Sequence, residues 1–225
     1  SAAQRIAPFI NRTPSFSSLQ FNELTGGDYI FKGEHLQLTG AFKARGAINA
    51  LLVNKQRAAD SGVITHSSGN HGAALAWAAS QIGAKAFIIM PSNAPKSKIA
   101  AVKYYGGIIT FCKPNLEARE TTASRVQKET GAHLIHPYDN YDIIAGQATA
   151  TYELLKDNPE IEHLFIPVGG GGLLSGAALA NYFFGNAKIY GCEPELARDA
   201  HDGFLTGKRV IVKNSDTIAD GLKTS

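Results

Sequence analysis

From Gly62 onward, short β-rich runs alternate with helical patterns, and this alternation limits the possible folds more than any other feature of the sequence. The β-rich runs are 63–67, 84–91, 108–112, 133–138 and 163–168. The segments between them have the 3.6-residue apolar spacing of amphipathic helices. Strands that alternate with helices form a parallel sheet covered on both faces. The sequence therefore predicts an α/β fold.

Glycines mark the ends of several predicted helices, at Gly83, Gly106 and Gly131. A residue in the left-handed conformation often ends a helix, and glycine adopts that conformation at the lowest cost. Upstream of this region, residues 28–37 are strand-like and residues 42–55 are helical. The helix boundaries are therefore well defined by the sequence.

The chain is long enough for two lobes, since domains usually contain roughly 100–200 residues. We predict a small domain of residues 61–137, set into a large domain made of residues 1–60 and 138–225. No repeat or low-complexity linker marks the boundary between them.

Composition and charge exclude several classes of protein. Apolar residues make up 44% of the chain, yet no segment has the roughly 18 continuous apolar residues of a membrane helix. Lysine and arginine total 22 against 19 acidic residues, without the basic stripe of a nucleic-acid binder. Cys112 and Cys192 lack the spacing of a zinc site or a disulfide framework. Because Ser1 to Ile10 is patterned as an amphipathic helix rather than a secretory signal, we expect a soluble cytoplasmic protein.

The strongest motif is the run of four glycines at Gly169, Gly170, Gly171 and Gly172, between a β-rich run and a helix that begins near Leu173. Glycines let backbone N–H groups approach a ligand closely, and a helix N-terminus favours a phosphate. No Lys-Ser/Thr pair follows, so this is not a nucleotide P-loop. Two alternatives remain: a tight turn without a ligand, and a dinucleotide site with Glu193 as its ribose-binding acid.

A second loop, Ser67-Ser68-Gly69-Asn70-His71-Gly72, also lies between a predicted strand and a predicted helix. Serine and asparagine are preferred helix-capping residues, so the loop could serve only as a cap. Its hydroxyl, amide and backbone N–H groups could equally bind a substrate carboxylate.

A third feature is the lysine in Thr39-Gly40-Ala41-Phe42-Lys43, which opens the next helix. A lysine in the first turn of a helix opposes the macrodipole, which disfavours its charged form and favours a nucleophilic amine. Alone, Lys43 would be interpreted as a surface residue. Together, a reactive amine, a carboxylate-binding loop and a phosphate cradle are the parts that a pyridoxal phosphate enzyme needs.

These motifs resemble those of the fold type II pyridoxal phosphate enzymes, and within them the serine racemase and serine/threonine dehydratase family. The similar segments are FKGEHLQLTGAFKARGA, SSGNHG, GGGGLLSG and TIADGL. The resemblance runs essentially from end to end. It implies two open, twisted α/β lobes with parallel sheets and the cofactor between them.

The resemblance also implies roles for individual residues. Lys43 would form the Schiff base with pyridoxal 5'-phosphate, and Phe42 would pack against the cofactor. Asn70 would hydrogen-bond the ring hydroxyl and lie beside the substrate. The phosphate would be held by Gly169, Gly170, Gly171, Gly172 and Leu173. The substrate carboxylate would be bound by Ser67, Ser68 and His71.

The implied substrate is a small hydroxy amino acid such as serine or threonine. Lys43 is the expected base for the α-proton, and loss of the β-hydroxyl then gives a 2-oxo acid and ammonia. Return of a proton to the opposite face gives the enantiomer and requires a second acid. Ser68 resembles that acid in the racemases, whereas dedicated dehydratases usually have alanine there. We therefore favour a racemase that also eliminates water, with a dedicated dehydratase as the alternative.

The segment from Glu193 to Asp199 resembles the divalent-cation site of this subfamily. Glu193 and Asp199 would supply carboxylates, and Ala197 would supply its carbonyl. Ligands that are all oxygen suit magnesium, calcium or manganese. The family is usually dimeric, so a homodimer is expected, with no nucleic-acid or membrane partner.

The sequence departs from the family in two places. Ala148 stands where the family often has glycine, which suggests a local change in packing. The chain also ends before the family's last part, so we expect an incomplete copy and inefficient turnover by residues 1–225 alone. Two other classes remain open: a nicotinamide-dependent oxidoreductase and a non-catalytic homologue.

Overall fold

The fold is that of a computed structural model, which describes residues 1–67, 69–212 and 216–223. The elements before residue 62 are α1 (Ala2–Ile6), β1 (Ser15–Phe16), α2 (Leu19–Thr25), β2 (Phe31–Lys32), α3 (Lys43–Val53) and α4 (Lys55–Ser61). The next are β3 (Val63–His66), α5 (Asn70–Gln81), β4 (Ala86–Pro91), α6 (Lys96–Tyr104), β5 (Ile108–Cys112), α7 (Leu116–Thr130) and β6 (His133–Leu134). The last are α8 (Tyr141–Asp157), β7 (His163–Pro167), α9 (Gly172–Phe184), β8 (Lys188–Cys192) and α10 (Asp199–Thr206). Short 3₁₀ turns occupy Glu34–Leu36, Leu38–Gly40, Glu195–Ala197 and Asp220–Leu222.

Parallel strands form the two sheets that position the loops of interest. Within the described residues, one sheet has the order β5-β4-β3-β6, and β7 pairs with β8 in the other. A two-residue antiparallel pair, β1 with β2, lies near the N-terminus. The predicted α/β fold with parallel sheets is confirmed. Division of the chain into two domains at residues 61 and 137 stays a prediction.

The helix ends follow from local chemistry. Gly83, Gly106 and Gly131 all have positive φ angles, of 69°, 78° and 71°, as their positions after helices predict. The Asn115 side chain caps α7 by accepting a bond from the Ala118 amide at 2.7 Å. These local signals fix where each helix meets its loop.

The core between the helices and the four-stranded sheet is built from small residues on α5 and larger apolar residues on the strands. Ala74 and Ala78 of α5 are fully buried in one cluster with Val63 of β3 and Ile88 and Met90 of β4. Burial of an isoleucine such as Ile88 contributes about 1.5–3 kcal/mol to folding. This packing holds the N-terminus of α5 at the carboxyl end of β3.

Glycines bring α3, α8 and α9 into close contact. A β-carbon on Gly46 of α3 would overlap with Gln147 of α8, whose side-chain oxygen accepts a bond from the Gly46 amide at 3.2 Å. A β-carbon on Gly176 of α9 would lie 2.7 Å from the Ala148 amide of α8. Since α3 begins at Lys43 and α9 follows the glycine run, α8 sets the spacing between these two parts of the candidate site.

Two predicted strands are shorter in the structure. The run 133–138 forms a strand only at His133–Leu134, and the Ile135 amide still donates to the Ile64 carbonyl at 2.9 Å. The chain then turns, and His136 Nδ1 accepts a bond from the Asp139 amide at 2.9 Å. The run 28–37 forms a strand only at Phe31–Lys32 and then enters a 3₁₀ turn. Both differences place irregular backbone where the sequence predicts extended chain.

Candidate active site

Lys43 is the first residue of α3, as the sequence predicts, and its amine points into a cavity rather than into bulk solvent. The chain enters α3 through Thr39 and Gly40, both in the left-handed region, with φ angles of 65° and 73°. The Lys43 Nζ donates a hydrogen bond to the Pro137 carbonyl at 3.1 Å and lies 5.1 Å from the centre of the Phe42 ring. The interpretation of Lys43 as a surface lysine is therefore wrong.

Burial lowers the pKa of Lys43 from 10.5 to about 8, because the low-dielectric surroundings disfavour the ammonium form. At pH 8 about half of the Lys43 amines are therefore neutral, against roughly 0.3% for a lysine with the ordinary value. A neutral amine can attack a carbonyl or accept a proton. From the sequence, the helix macrodipole is expected to disfavour the charged form of Lys43. In the structure, desolvation by burial lowers its pKa.

The second predicted loop follows β3 at the N-terminus of α5. The Ser67 Oγ accepts a bond from the Gly69 amide at 3.3 Å, and Asn70 begins the helix. No described side chain caps α5, whose N-cap residue is Gly69. Among the described residues, therefore, neither Ser67 nor Asn70 caps this helix. The helix N-terminus faces the cavity with amide groups suited to a carboxylate.

His71 lies in the first turn of α5, with 2% of its surface exposed, and lines the same cavity. Burial and the nearby charge of Lys43 hold the pKa of His71 well below its ordinary value. The ring is therefore neutral near pH 7 and can bind a substrate without a second buried charge. Ser68, predicted as a catalytic acid and a substrate ligand, lies outside the described residues.

The glycine run follows β7 and leads directly into α9. Gly171 is the N-cap residue, with a φ angle of 83°, and no described side chain caps the helix. Its positive φ is one that a residue with a side chain adopts only at a cost. The free amides and the positive end of α9 thus form a cradle that suits a phosphate.

These three parts line one cavity of about 540 Å³, which is within the usual range for small-ligand sites. The predicted residues that line it are Phe42, Lys43, Ser67, Asn70, His71, Gly169, Gly170, Gly171, Gly172 and Leu173. Every predicted cofactor or substrate residue within the described chain therefore reaches the same space. This convergence is the main structural support for a common site.

Sequence reasoning missed several residues that also line this cavity. They are Lys98, Arg119, Pro137, Tyr138 and Asp220. The sheet explains the position of two of them, although no sequence signal does: β6 pairs with β3, so the residues after β6 lie beside the loop after β3. Pro137 and Tyr138 are those residues. Lys98 and Asp220 form an ion pair that no sequence spacing indicates.

The predicted metal ligands lie near the N-terminus of α10. Glu193 accepts bonds from the amides of Ala200 and His201 at 3.0 and 2.7 Å, and Asp199 is the first residue of the helix. Ala197 is buried in the preceding 3₁₀ turn. Within the described chain, no group of three or more histidine, cysteine, aspartate or glutamate side chains could hold a metal. Any cation site here would therefore depend on the Ala197 carbonyl as well as the two carboxylates.

Comparison with known proteins adds a family to this geometry. The family model described as "Pyridoxal-phosphate dependent enzyme" matches residues 6–225. A serine racemase of Oryza sativa subsp. indica is 44% identical over 223 residues, covering 99% of this chain and 66% of the relative. A β-hydroxyaspartate dehydratase of Paracoccus denitrificans is 42% identical over 223 residues, covering 99% and 71%. The chain spans about two thirds of the length of these relatives.

The fold has a close counterpart among solved structures. The structure of maize serine racemase has a TM-score of 0.95 and 44% sequence identity. The match covers 98% of this chain and 68% of the maize protein. The parallel sheets and the loops at their carboxyl ends thus belong to an architecture that has been solved in a related protein.

Proposed function

Because this chain belongs to the pyridoxal-phosphate-dependent enzyme family, we propose that it racemises and dehydrates a small hydroxy amino acid such as serine or threonine. The observation that carries the proposal is the convergence of Lys43, the N-terminus of α5 and the glycine run on one cavity. The names of the relatives support both reactions, since one is a serine racemase and another a β-hydroxyaspartate dehydratase. Because the matching family uses pyridoxal phosphate, family membership argues against the alternative of a nicotinamide-dependent oxidoreductase.

The described residues fit the cofactor. An uncapped helix follows the glycine run, so its amides are available to the phosphate, and Leu173 lies in the first turn. Lys43 would hold the cofactor covalently through its amine, and Phe42 would pack against the ring. Asn70, which lines the same cavity, would bind the ring hydroxyl.

Two groups of the protein would act on the substrate. The bound cofactor supplies an electron sink for the charge left on the α-carbon when its proton departs. The N-terminus of α5, with Ser67, Ser68, Asn70 and neutral His71, would bind the substrate carboxylate. The Lys43 Nζ would accept the α-proton, since its pKa of about 8 matches the working range of a general base.

Racemisation also needs a proton donor on the other face of the substrate, and we propose Ser68 for this role. We expect Ser68→Ala to reduce racemisation of L-serine by about 10²-fold or more, which is the usual effect of removing a general acid. Elimination to pyruvate and ammonia should fall much less, because Lys43 removes the α-proton of L-serine and the other groups at the N-terminus of α5 still bind the carboxylate. Chiral chromatography and a pyruvate assay measure the two products.

Ser124→Ala is the matched control, since Ser124 is exposed on α7, and both rates should stay unchanged. An equal fall of both rates in Ser68→Ala would contradict the role of Ser68 as an acid for racemisation alone. Elimination without measurable racemisation by the unmodified protein would favour the dedicated dehydratase.

We also propose a divalent cation between Glu193, the Ala197 carbonyl and Asp199, with magnesium, calcium or manganese as the ion. An oxygen-only ligand set supports this assignment. Addition of magnesium after EDTA treatment should raise the unfolding temperature, because an ion that binds only the folded state stabilises it. Asp199→Asn should remove this shift, and Asp202→Asn, one turn along α10, should retain it. An unchanged melting temperature of the unmodified protein with all three ions would contradict the site.

A homodimer and a cytoplasmic location complete the proposal. The usual dimeric state of the family supports the homodimer, and two cysteines that are free thiols in the structure support the location. Among the described residues, no helix is long and apolar enough to cross a bilayer. Light scattering of the purified protein would measure the oligomeric state.

A further inference from the structure

The segment His136-Pro137-Tyr138 links the two halves of the candidate site. The Pro137 carbonyl accepts the hydrogen bond from the Lys43 amine, and the next residue, Tyr138, contacts the glycine run. A β-carbon on Gly170 would overlap with the Tyr138 ring, and one on Gly172 would lie 3.1 Å from the Tyr138 Cα. A single residue thus packs against two of the four glycines.

The Tyr138 ring also contacts a second aromatic side chain. The His136 ring meets it edge-on, with ring centres 4.6 Å apart, and the His66 ring meets His136 at 5.6 Å. Edge-to-face pairs of this kind are favourable beyond the area that they bury. Tyr138 lines the cavity of about 540 Å³ and also a neighbouring cavity of about 780 Å³. The ring therefore separates the two cavities at the position where it contacts the glycine run.

We propose that Tyr138 is a positioning residue for the cofactor phosphate, which it serves by fixing the conformation of Gly169–Gly172. A run of four glycines has many accessible conformations, and ordering it on binding would cost free energy. A ring packed directly on Gly170 removes that cost in advance. The inference rests on the proposed function, since it takes the glycine run as the phosphate site.

The same contact explains why residue 170 is glycine. Its φ is not in the left-handed region, so the backbone conformation does not require glycine there. The space for a side chain is instead filled by the Tyr138 ring. Gly170 and Tyr138 are therefore two halves of one packing arrangement, and they should be energetically coupled.

The test compares binding of pyridoxal phosphate with binding of pyridoxal, which lacks the phosphate. The visible absorption of the covalent complex at Lys43 reports both affinities, and their ratio measures the contribution of the cradle. Tyr138→Ala should lower this ratio by about tenfold or more, because the loop must then be ordered on binding. Tyr138→Phe keeps the ring and should keep the ratio. Tyr141→Ala, at a side chain that is 90% exposed, is the matched control.

A rescue experiment separates positioning from general damage to the fold. Gly170→Ala alone should lower the ratio, because the new methyl group meets the Tyr138 ring. In the double variant Gly170→Ala/Tyr138→Ala the two losses should be less than additive, since the small side chain at 138 leaves room for the methyl group. Additive losses, or an unchanged ratio in Tyr138→Ala, would overturn the inference. Failure of pyridoxal phosphate itself to bind covalently to the unmodified protein would instead overturn the proposed function.

Discussion

Replacement of Lys43 by alanine should abolish covalent binding of pyridoxal phosphate and reduce turnover of serine by about 10³-fold or more. The variant loses the amine that would hold the cofactor and also the base that would accept the α-proton. Borohydride trapping followed by mass spectrometry of the tryptic peptides should label Lys43 in the unmodified protein and leave the variant unlabelled. Lys43→Arg should fail equally, because a guanidinium keeps the charge but stays protonated.

Lys103→Ala is the control for loss of a lysine elsewhere, and it should trap the cofactor normally. The pH dependence adds a second check. Because the pKa of Lys43 is lowered to about 8, its reaction with pyridoxal should accelerate as the pH rises through 8. A midpoint near 10.5, the ordinary value, would show that the amine is not desolvated. Trapped cofactor in Lys43→Ala would contradict the assignment of this lysine altogether.

The parallel sheets and the two loops after β3 and β7 could be predicted because their signals are local. The strand runs before these two loops are followed by serine and glycine or by four glycines, and then by helical spacing, which predicts a loop at the carboxyl end of a parallel strand. The position of Lys43 at the start of α3 could also be predicted from the helical pattern that follows it. The sequence could therefore indicate which residues meet in the cavity before any distance was known.

The contribution of residues 136–138 could not be predicted in the same way. They belong to the run 133–138, whose composition indicates a strand, and β-propensity does not register the bond from the Asp139 amide to His136 Nδ1 in the turn that follows β6. The Pro137 carbonyl has no sequence signature as a partner for Lys43, because any residue has a carbonyl. Burial as the cause of the lowered pKa of Lys43 is likewise a property of the packed fold.

A buried network of charges around Arg45 is a further feature that the sequence does not reveal. The Arg45 side chain is fully buried two residues after Lys43, where a helix pattern alone predicts no special role. Its guanidinium bonds to Glu34 at 2.8 Å and to Glu153 at 2.7 and 2.9 Å. Lys32 donates to the same Glu153 at 2.7 Å. Two cations thus balance two carboxylates among β2, the 3₁₀ turn that follows it, α3 and α8.

The charge network also determines how stability depends on pH. Burial opposes ionisation of Glu153, but hydrogen bonds and charges from Arg45 and Lys32 outweigh it and lower the pKa of this carboxyl. A carboxylate whose pKa is lowered on folding stabilises the fold above its ordinary value of 4.5. This stabilisation should be lost as the pH falls below 4.5 and through the lowered pKa of Glu153.

Replacement of Arg45 by methionine should therefore lower the free energy of unfolding by about 3–5 kcal/mol near pH 7. Glu153 would keep its bond from Lys32, and Glu34 would keep its bond from the Thr13 hydroxyl but lose its bonds to a cation. Urea unfolding monitored by circular dichroism measures the loss, which should shrink below pH 4.5 as the Glu153 carboxyl becomes protonated. Arg45→Lys retains the charge but lacks the planar guanidinium, so its free energy of unfolding should lie between those of the unmodified protein and of Arg45→Met. Arg125→Met breaks an exposed pair with Glu129 and should cost about 1 kcal/mol or less. Equal losses at positions 45 and 125 would show that the buried network contributes no more than a surface pair.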